Sequence, residues 1–237
     1  MKVRKTNIPQ LDEFLGGGLP QSSITLIWAH PGLENSAFAY HMLFEALREG
    51  DSCIYVLCSK DRSAVEADMR RYGWDLGKYL GKGNLIFVDA YSGLVDEPAS
   101  ERFYALNPRD ASSITMALCH ALKATGGDRT LVVYDSVSTL IDHCGAGALC
   151  EIGRWKRLFA ENNATGVFLF TQWPYEDRVL MELHALSDVV IQLKAVEDRV
   201  IVGEYLNVSK LAGGGEETER ADLPFRVIAP GGISILE

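Results

Sequence analysis

The chain has 237 residues, 47% hydrophobic and 23% charged, with a formal net charge of −9. That supports a sizeable core and excludes a disordered, fibrous or disulfide-scaffold protein. The acidic balance excludes a basic nucleic-acid footprint at whole-chain level and repels anionic lipid surfaces.

Residues 24–28 form the first apolar run that reads as a buried strand. Residues 36–47 follow as a helix, with Phe38, Met42, Leu43, Ala46 and Leu47 at helical spacing. Gly50-Asp51 ends that helix, and residues 53–57 are the next strand. Residues 62–72 predict a helix with Val65 and Met69 on one face, and 85–88 a third strand. The polar segment 93–108 carries Pro98 and Pro108 and predicts a surface loop. Asp110 is placed to cap a helix running to Lys123, which Gly126-Gly127-Asp128 breaks. Residues 131–134 predict a strand ending at Asp135, 148–161 a helix, and 166–171 another strand. Residues 187–193, 200–208, 225–228 and 233–236 predict closing strands, and 213–219 a mobile acidic loop. Strand and helix alternate for about 175 residues before strands follow alone, the pattern of a parallel sheet with right-handed crossovers and an antiparallel edge. The expected organisation is one domain over residues 1–237.

The five cysteines, Cys53, Cys58, Cys119, Cys144 and Cys150, are scattered and odd in number, so they read as reduced thiols, mostly buried. His143-Cys144 with Cys150, and Cys119-His120, fit no zinc spacing, so no metal is expected. The basic start, Met1 to Thr6, is followed by no apolar leader, and no apolar run is long enough to span a bilayer. The expected location is cytoplasmic.

The segment Thr6-Asn7-Ile8-Pro9-Gln10-Leu11-Asp12-Glu13-Phe14-Leu15-Gly16-Gly17-Gly18-Leu19-Pro20 closely resembles the lead-in of the KaiC/RadA/RecA group of P-loop ATPases. Further segments in the family's order are Arg71-Tyr72-Gly73-Trp74-Asp75-Leu76, the Walker B-like strand ending at Asp135 with Ser136-Val137-Ser138, Ser187-Asp188-Val189-Val190-Ile191, and Val208-Ser209-Lys210. The resemblance covers residues 6–237 and implies a RecA-like three-layer α/β/α fold with a mostly parallel sheet and antiparallel strands at the C-terminal edge.

It also locates the site. A working phosphate loop reads G-x-x-x-x-G-K-[ST], its amides cradling phosphates, its lysine neutralising them and its hydroxyl holding Mg²⁺. The matching stretch is Ala29-His30-Pro31-Gly32-Leu33-Glu34-Asn35-Ser36. Gly32 and Ser36 keep their types, while Ala29 replaces the first motif glycine, a mild change, Glu34 the second, and Asn35 the lysine. Glu34 is expected to compete with phosphate for the loop amides, although an acid near a helix start is also favourable for structural reasons alone. The family's water-activating Glu-Glu pair is matched by Ser59-Lys60, with Asp61 one position late, and its K-M-R-G by Lys210-Leu211-Ala212-Gly213. Asp135 remains as a magnesium-site acid and Thr171-Gln172 as a γ-phosphate sensor.

The resulting expectation is a non-catalytic member of the family: a regulatory or scaffold subunit, homo- or hetero-oligomeric, working through protein partners. The nucleotide site would be degenerate at Gly32, Glu34, Asn35, Ser36, Asp135 and Gln172, with no cofactor or at most weakly held Mg-ATP. One alternative is a weak ATPase in which Lys60 or Lys210 replaces the missing lysine. Another is a module binding a different anion or a peptide at the remodelled crevice. The cations Lys60, Arg62, Arg70 and Arg71 share a helix with Asp61, Glu66 and Asp68 and read as a mixed solvated face. The loop Trp173-Pro174-Tyr175-Glu176-Asp177-Arg178 is not basic, which weighs against nucleic acid, and its aromatics offer a contact patch.

Overall fold

The computed structural model describes residues 2–126, 129–198, 201–212 and 222–236. The break at Gly127-Asp128 and the acidic run 213–219 lie outside the described residues. The chain starts with β1 (Val3–Arg4), α1 (Pro9–Phe14) and β2 (Leu19–Pro20); β1 and β2 pair antiparallel. The main succession is β3 (Ile24–Ala29), α2 (Asn35–Arg48), β4 (Ser52–Leu57), α3 (Arg62–Arg71), α4 (Gly77–Leu80) and β5 (Leu85–Asp89). A 3-10 turn (Ser92–Leu94), β6 (Phe103–Tyr104), α5 (Ala111–Ala124), β7 (Thr130–Asp135), α6 (Val137–Cys144), α7 (Ala146–Glu161) and β8 (Ala164–Thr171) come next. The chain closes with α8 (Asp177–Leu186), β9 (Val189–Asp198), β10 (Ile201–Lys210), β11 (Leu223–Ile228) and β12 (Gly232–Ile235).

The ten-stranded sheet runs β12-β11-β10-β9-β3-β8-β7-β4-β5-β6. Every pair from β9 to β6 is parallel, and β10, β11 and β12 extend the sheet antiparallel. Alternate residues of the buried strands feed two cores. Ile27, Tyr55, Val133 and Leu169 face α2 and α3; Leu26, Val56, Tyr134 and Phe168 face α5, α6 and α7. This is a three-layer α/β/α arrangement, and it explains the unbroken apolar runs: strands covered on both faces have no polar side to show.

Helix starts follow the polar residues ahead of them. Asp61 accepts from Ala64 N, Asp110 from Ser112 N and Ser136 from Thr139 N. At the opposite end of the sheet, buried Arg4 and half-exposed Arg129 both pair with buried Asp51, tying β1 to the starts of β4 and β7. Gly18 has φ +134°, and a Cβ there would sit 2.3 Å from the Arg4 carbonyl oxygen, so the close approach of β1 and β2 requires glycine.

Several expectations are corrected. The 93–108 segment contains a 3-10 turn and the edge strand β6, because Asp89 organises it: its carboxylate accepts from the amides of Tyr91, Ser92 and Ser100. Helices α6 and α8 were not expected; α8 carries the strand–helix alternation to Leu186 rather than about residue 175. Of the thiols, only Cys53 and Cys58 are buried; Cys119 and Cys144 are half-buried and Cys150 is exposed on α7.

Candidate functional site

The C-terminal ends of β3, β4, β7 and β8 converge on the crevice where open parallel sheets hold ligands. The loop 30–34 leaves β3 there and enters α2. His30 N donates to Leu193 O of β9, anchoring the loop at its start. Gly32 takes φ +93°, a conformation that favours glycine, with open space where a Cβ would lie.

Glu34 and Asn35 each meet a partner within the chain. Asn35 Nδ2 donates to Phe170 O at 3.4 Å, joining the first turn of α2 to β8. Glu34 is exposed, and its carboxylate accepts from the Tyr72 hydroxyl at 2.8 Å. This corrects the expectation that Glu34 competes for the loop amides: it makes no side-chain cap of α2 and reaches the end of α3 instead. Burial, and then Glu34, push the Tyr72 hydroxyl pKa above its ordinary range. The Ser36 hydroxyl sits half-buried beside this loop on the first turn of α2.

Asp135, at the end of β7, is buried, and both its oxygens are taken. Tyr55 donates to one at 2.7 Å and Ser59 to the other at 2.9 Å. Tyr55 stacks on Tyr40 of α2, and Lys60 Nζ reaches the Tyr40 hydroxyl at 3.4 Å and Asp68 at 2.8 Å. Burial and then Asp135 raise Tyr40 to about 12, so it stays a neutral phenol. Burial pulls the Lys60 ammonium down, but Tyr40, Asp68 and Asp135 outweigh it and hold the group above its ordinary value. The sensor-like Gln172 is fixed too: the Trp28 indole donates to its Oε1 at 2.8 Å.

The structure thus brings Gly32, Glu34, Asn35, Ser36, Asp135 and Gln172 around one crevice. Neither candidate lysine is directed at the loop. Lys60 is paired as described, and Lys210 Nζ donates to the carbonyls of His184 and Ala185 at the end of α8, a C-terminal cap that suits a cation. Asp61, one position late for a water-activating acid, accepts from Ala64 N and the Ser63 hydroxyl as the cap of α3. Of the cations of α3, Arg62 pairs with Glu66 and Glu101 and Arg71 with Asp68, while Arg70 is exposed, as on a mixed solvated face. Sequence reasoning missed Tyr40, Tyr55 and Tyr72, which supply the hydroxyls of this network. Among the described residues no group of three or more His, Cys, Asp and Glu is placed to hold a metal, and no helix is long and apolar enough to cross a membrane.

A central parallel sheet, a strand–loop–helix at its middle strand and an acid ending the strand two places away, beyond β8, define the RecA-like class of the P-loop NTPase fold. Residues 4–237 match the family described as the KaiC ATPase, and the chain belongs to that family. It is 35% identical over 137 residues to a UPF0273 protein of Aeropyrum pernix, covering 57% of this chain and 54% of the relative. It is 34% identical over 166 residues to a UPF0273 protein of Pyrobaculum aerophilum, covering 70% of this chain and 58% of the relative. The chain therefore spans little more than half the length of these curated relatives. A crystal structure of a KaiC-like protein from Pyrococcus horikoshii superposes with a TM-score of 0.78 at 19% identity, covering 100% of this chain and 99% of that one. At that identity the likeness establishes the fold.

Proposed function

We propose that this chain is a non-catalytic KaiC-family domain, a regulatory or scaffold subunit that works by binding protein partners. The observation that carries the reading is the pair Glu34-Asn35 in the phosphate loop, with the Glu34 carboxylate bound to Tyr72 and the Asn35 amide to Phe170 O. A phosphate at this loop meets a carboxylate where the family has glycine, and no ammonium where it has lysine. Water activation lacks its acid as well, since Ser59 spends its hydroxyl on Asp135. The reading includes a single domain, assembly with itself or with related subunits, and a cytoplasmic setting.

The test is calorimetric titration of Mg-ATP and Mg-ADP, followed in parallel by tryptophan fluorescence, because Trp28 holds Gln172 at the crevice. Absence of binding at millimolar nucleotide is the expected result. Micromolar binding overturns the reading. In that case Lys60→Ala is the informative variant, since Lys60 is tied through Tyr40 to the α2 face of the crevice. Its loss of binding would favour the alternative in which Lys60 replaces the missing lysine, and unchanged binding would turn the test to Lys210→Ala.

A further inference from the structure

A cavity of about 550 Å³ lies beside the crevice, between the α6–α7 junction and α8. Its floor is apolar, from buried Ile141 and Leu149 and half-buried Val179, and the exposed Pro174, Gly145 and Ala146 lie at its mouth. Three charged groups line it: Glu176, Arg178 and Glu182, none of which has an ion-pair partner among the described residues. Asp142, beside Ile141, is exposed and bonded to the Tyr175 hydroxyl at 2.8 Å. Trp173, next to the lining Pro174, keeps 49% of its surface exposed, which is unusual for so large an apolar ring.

We propose that this groove is a docking site for a partner segment that inserts one or two aliphatic side chains and flanks them with lysine or arginine. The inference rests on the scaffold reading and names its surface. The floor selects the occupant's apolar side chains. The lining carboxylates, together with Asp142 on the rim, outnumber the one cation, Arg178, and so favour a basic flank. The chain's net charge of −9 steers such a partner inward and repels nucleic acid.

The groove also communicates with the crevice. Tyr175, in its wall, packs on Phe170 with ring centroids 5.6 Å apart, and Phe170 packs on Trp28 at 4.8 Å. Ser138 of α6 bonds both backbone groups of Thr171, one residue before Gln172. An occupant that shifts Tyr175 therefore presses on the wall that carries Trp28 and Gln172.

The probe is a fluorescein-labelled amphipathic peptide of leucine and lysine at helical spacing, read by anisotropy against the intact chain. Its leucine-to-serine and lysine-to-glutamate versions are controls. Saturable binding that falls about tenfold or more in Glu176→Lys with Glu182→Lys, weakens with salt, and is lost in Ala146→Trp is the expected result. Ala146 is exposed, so Ala146→Trp fills the mouth without disturbing the core, and circular dichroism checks its fold. Three results overturn the proposal: no saturable binding, binding that ignores these variants, or equal binding of the glutamate version. A labelled oligothymidylate that competes for the groove would assign it to nucleic acid and overturn it likewise. Failure here leaves the nucleotide titration untouched, so loss of this surface and loss of the scaffold reading are told apart.

Discussion

The two most consequential departures in the phosphate loop can be reversed together by Glu34→Gly with Asn35→Lys. The change removes one negative charge and adds one positive charge at the position of the phosphates. At roughly 5 Å and an effective dielectric near 20, each unit charge is worth about 3 kcal/mol against a phosphate charge. Glu34 is exposed and Asn35 half-buried, so solvent and salt take about half of that. The remainder, about 3 kcal/mol in total, is close to a hundredfold in affinity. The structural cost falls on folding stability: the lost Asn35–Phe170 bond is long at 3.4 Å, and the buried Tyr72 hydroxyl loses its acceptor, which costs about 1–3 kcal/mol. Calorimetry should therefore find Mg-ATP bound by the double variant at concentrations where the parent stays empty. Hydrolysis should not return, since Ser59 still stands where the family places its acid and Tyr55 still holds Asp135. Equal affinity of parent and variant, or a variant still empty at millimolar nucleotide, would refute the claim that these two residues decide occupancy.

Other parts of the molecule give independent tests. Tyr55→Phe strands a buried oxygen of Asp135 and should cost about 1–3 kcal/mol in urea unfolding; an unchanged midpoint would mean that water replaces the phenol. Asp51→Ala leaves the buried Arg4 guanidinium uncompensated and should cost about 3–5 kcal/mol, whereas Arg129→Ala, at a half-exposed partner, should cost no more than about 1 kcal/mol. Burial holds the His41 pKa below its ordinary 6.5, so the fold prefers the neutral ring while the unfolded chain takes up a proton first. Stability from this group is complete above that value and falls as pH drops below it, so His41→Phe should flatten the stability profile on the acid side of 6.5. A parallel profile in parent and variant would rule His41 out as the cause.

The fold was legible wherever burial imposes a pattern. The apolar run at β3 and the helical spacing of Phe38, Met42 and Leu43 located the core of the site within one or two residues of their true limits. Asp110 announced α5 because a cap is a local event. Helix α8 escaped although Val179, Leu180, Leu183 and Leu186 recur at helical spacing, because the helix is short and only Leu183 of the four is fully buried. The site's residue types could be read by position, but their partners could not. Glu34 meets Tyr72 across 38 residues, Asp135 meets Tyr55 across 80, and Gln172 meets Trp28 across 144. Such pairs exist only once the sheet brings distant strands into register.

Those long-range pairs bear on what the crevice is for. A phosphate site has to leave donors and a cation available to its ligand, and such groups cost stability while they wait. In this crevice the charged and amide groups of the loop, the acid of β7 and the amide after β8 each meet a partner inside the chain. A nucleotide arriving there has to break hydrogen bonds before it makes any, with no lysine to offset the loss. The same bonds lock the ends of β3, β4, β7 and β8 to one another and to α2 and α3, which stiffens the surface that surrounds the crevice. A stiff surface loses less conformational freedom on association, so its affinity for a partner rises. The substitutions that weaken the grip on phosphate are therefore the ones that suit the crevice's rim, with Trp173 and the adjoining groove, to protein recognition.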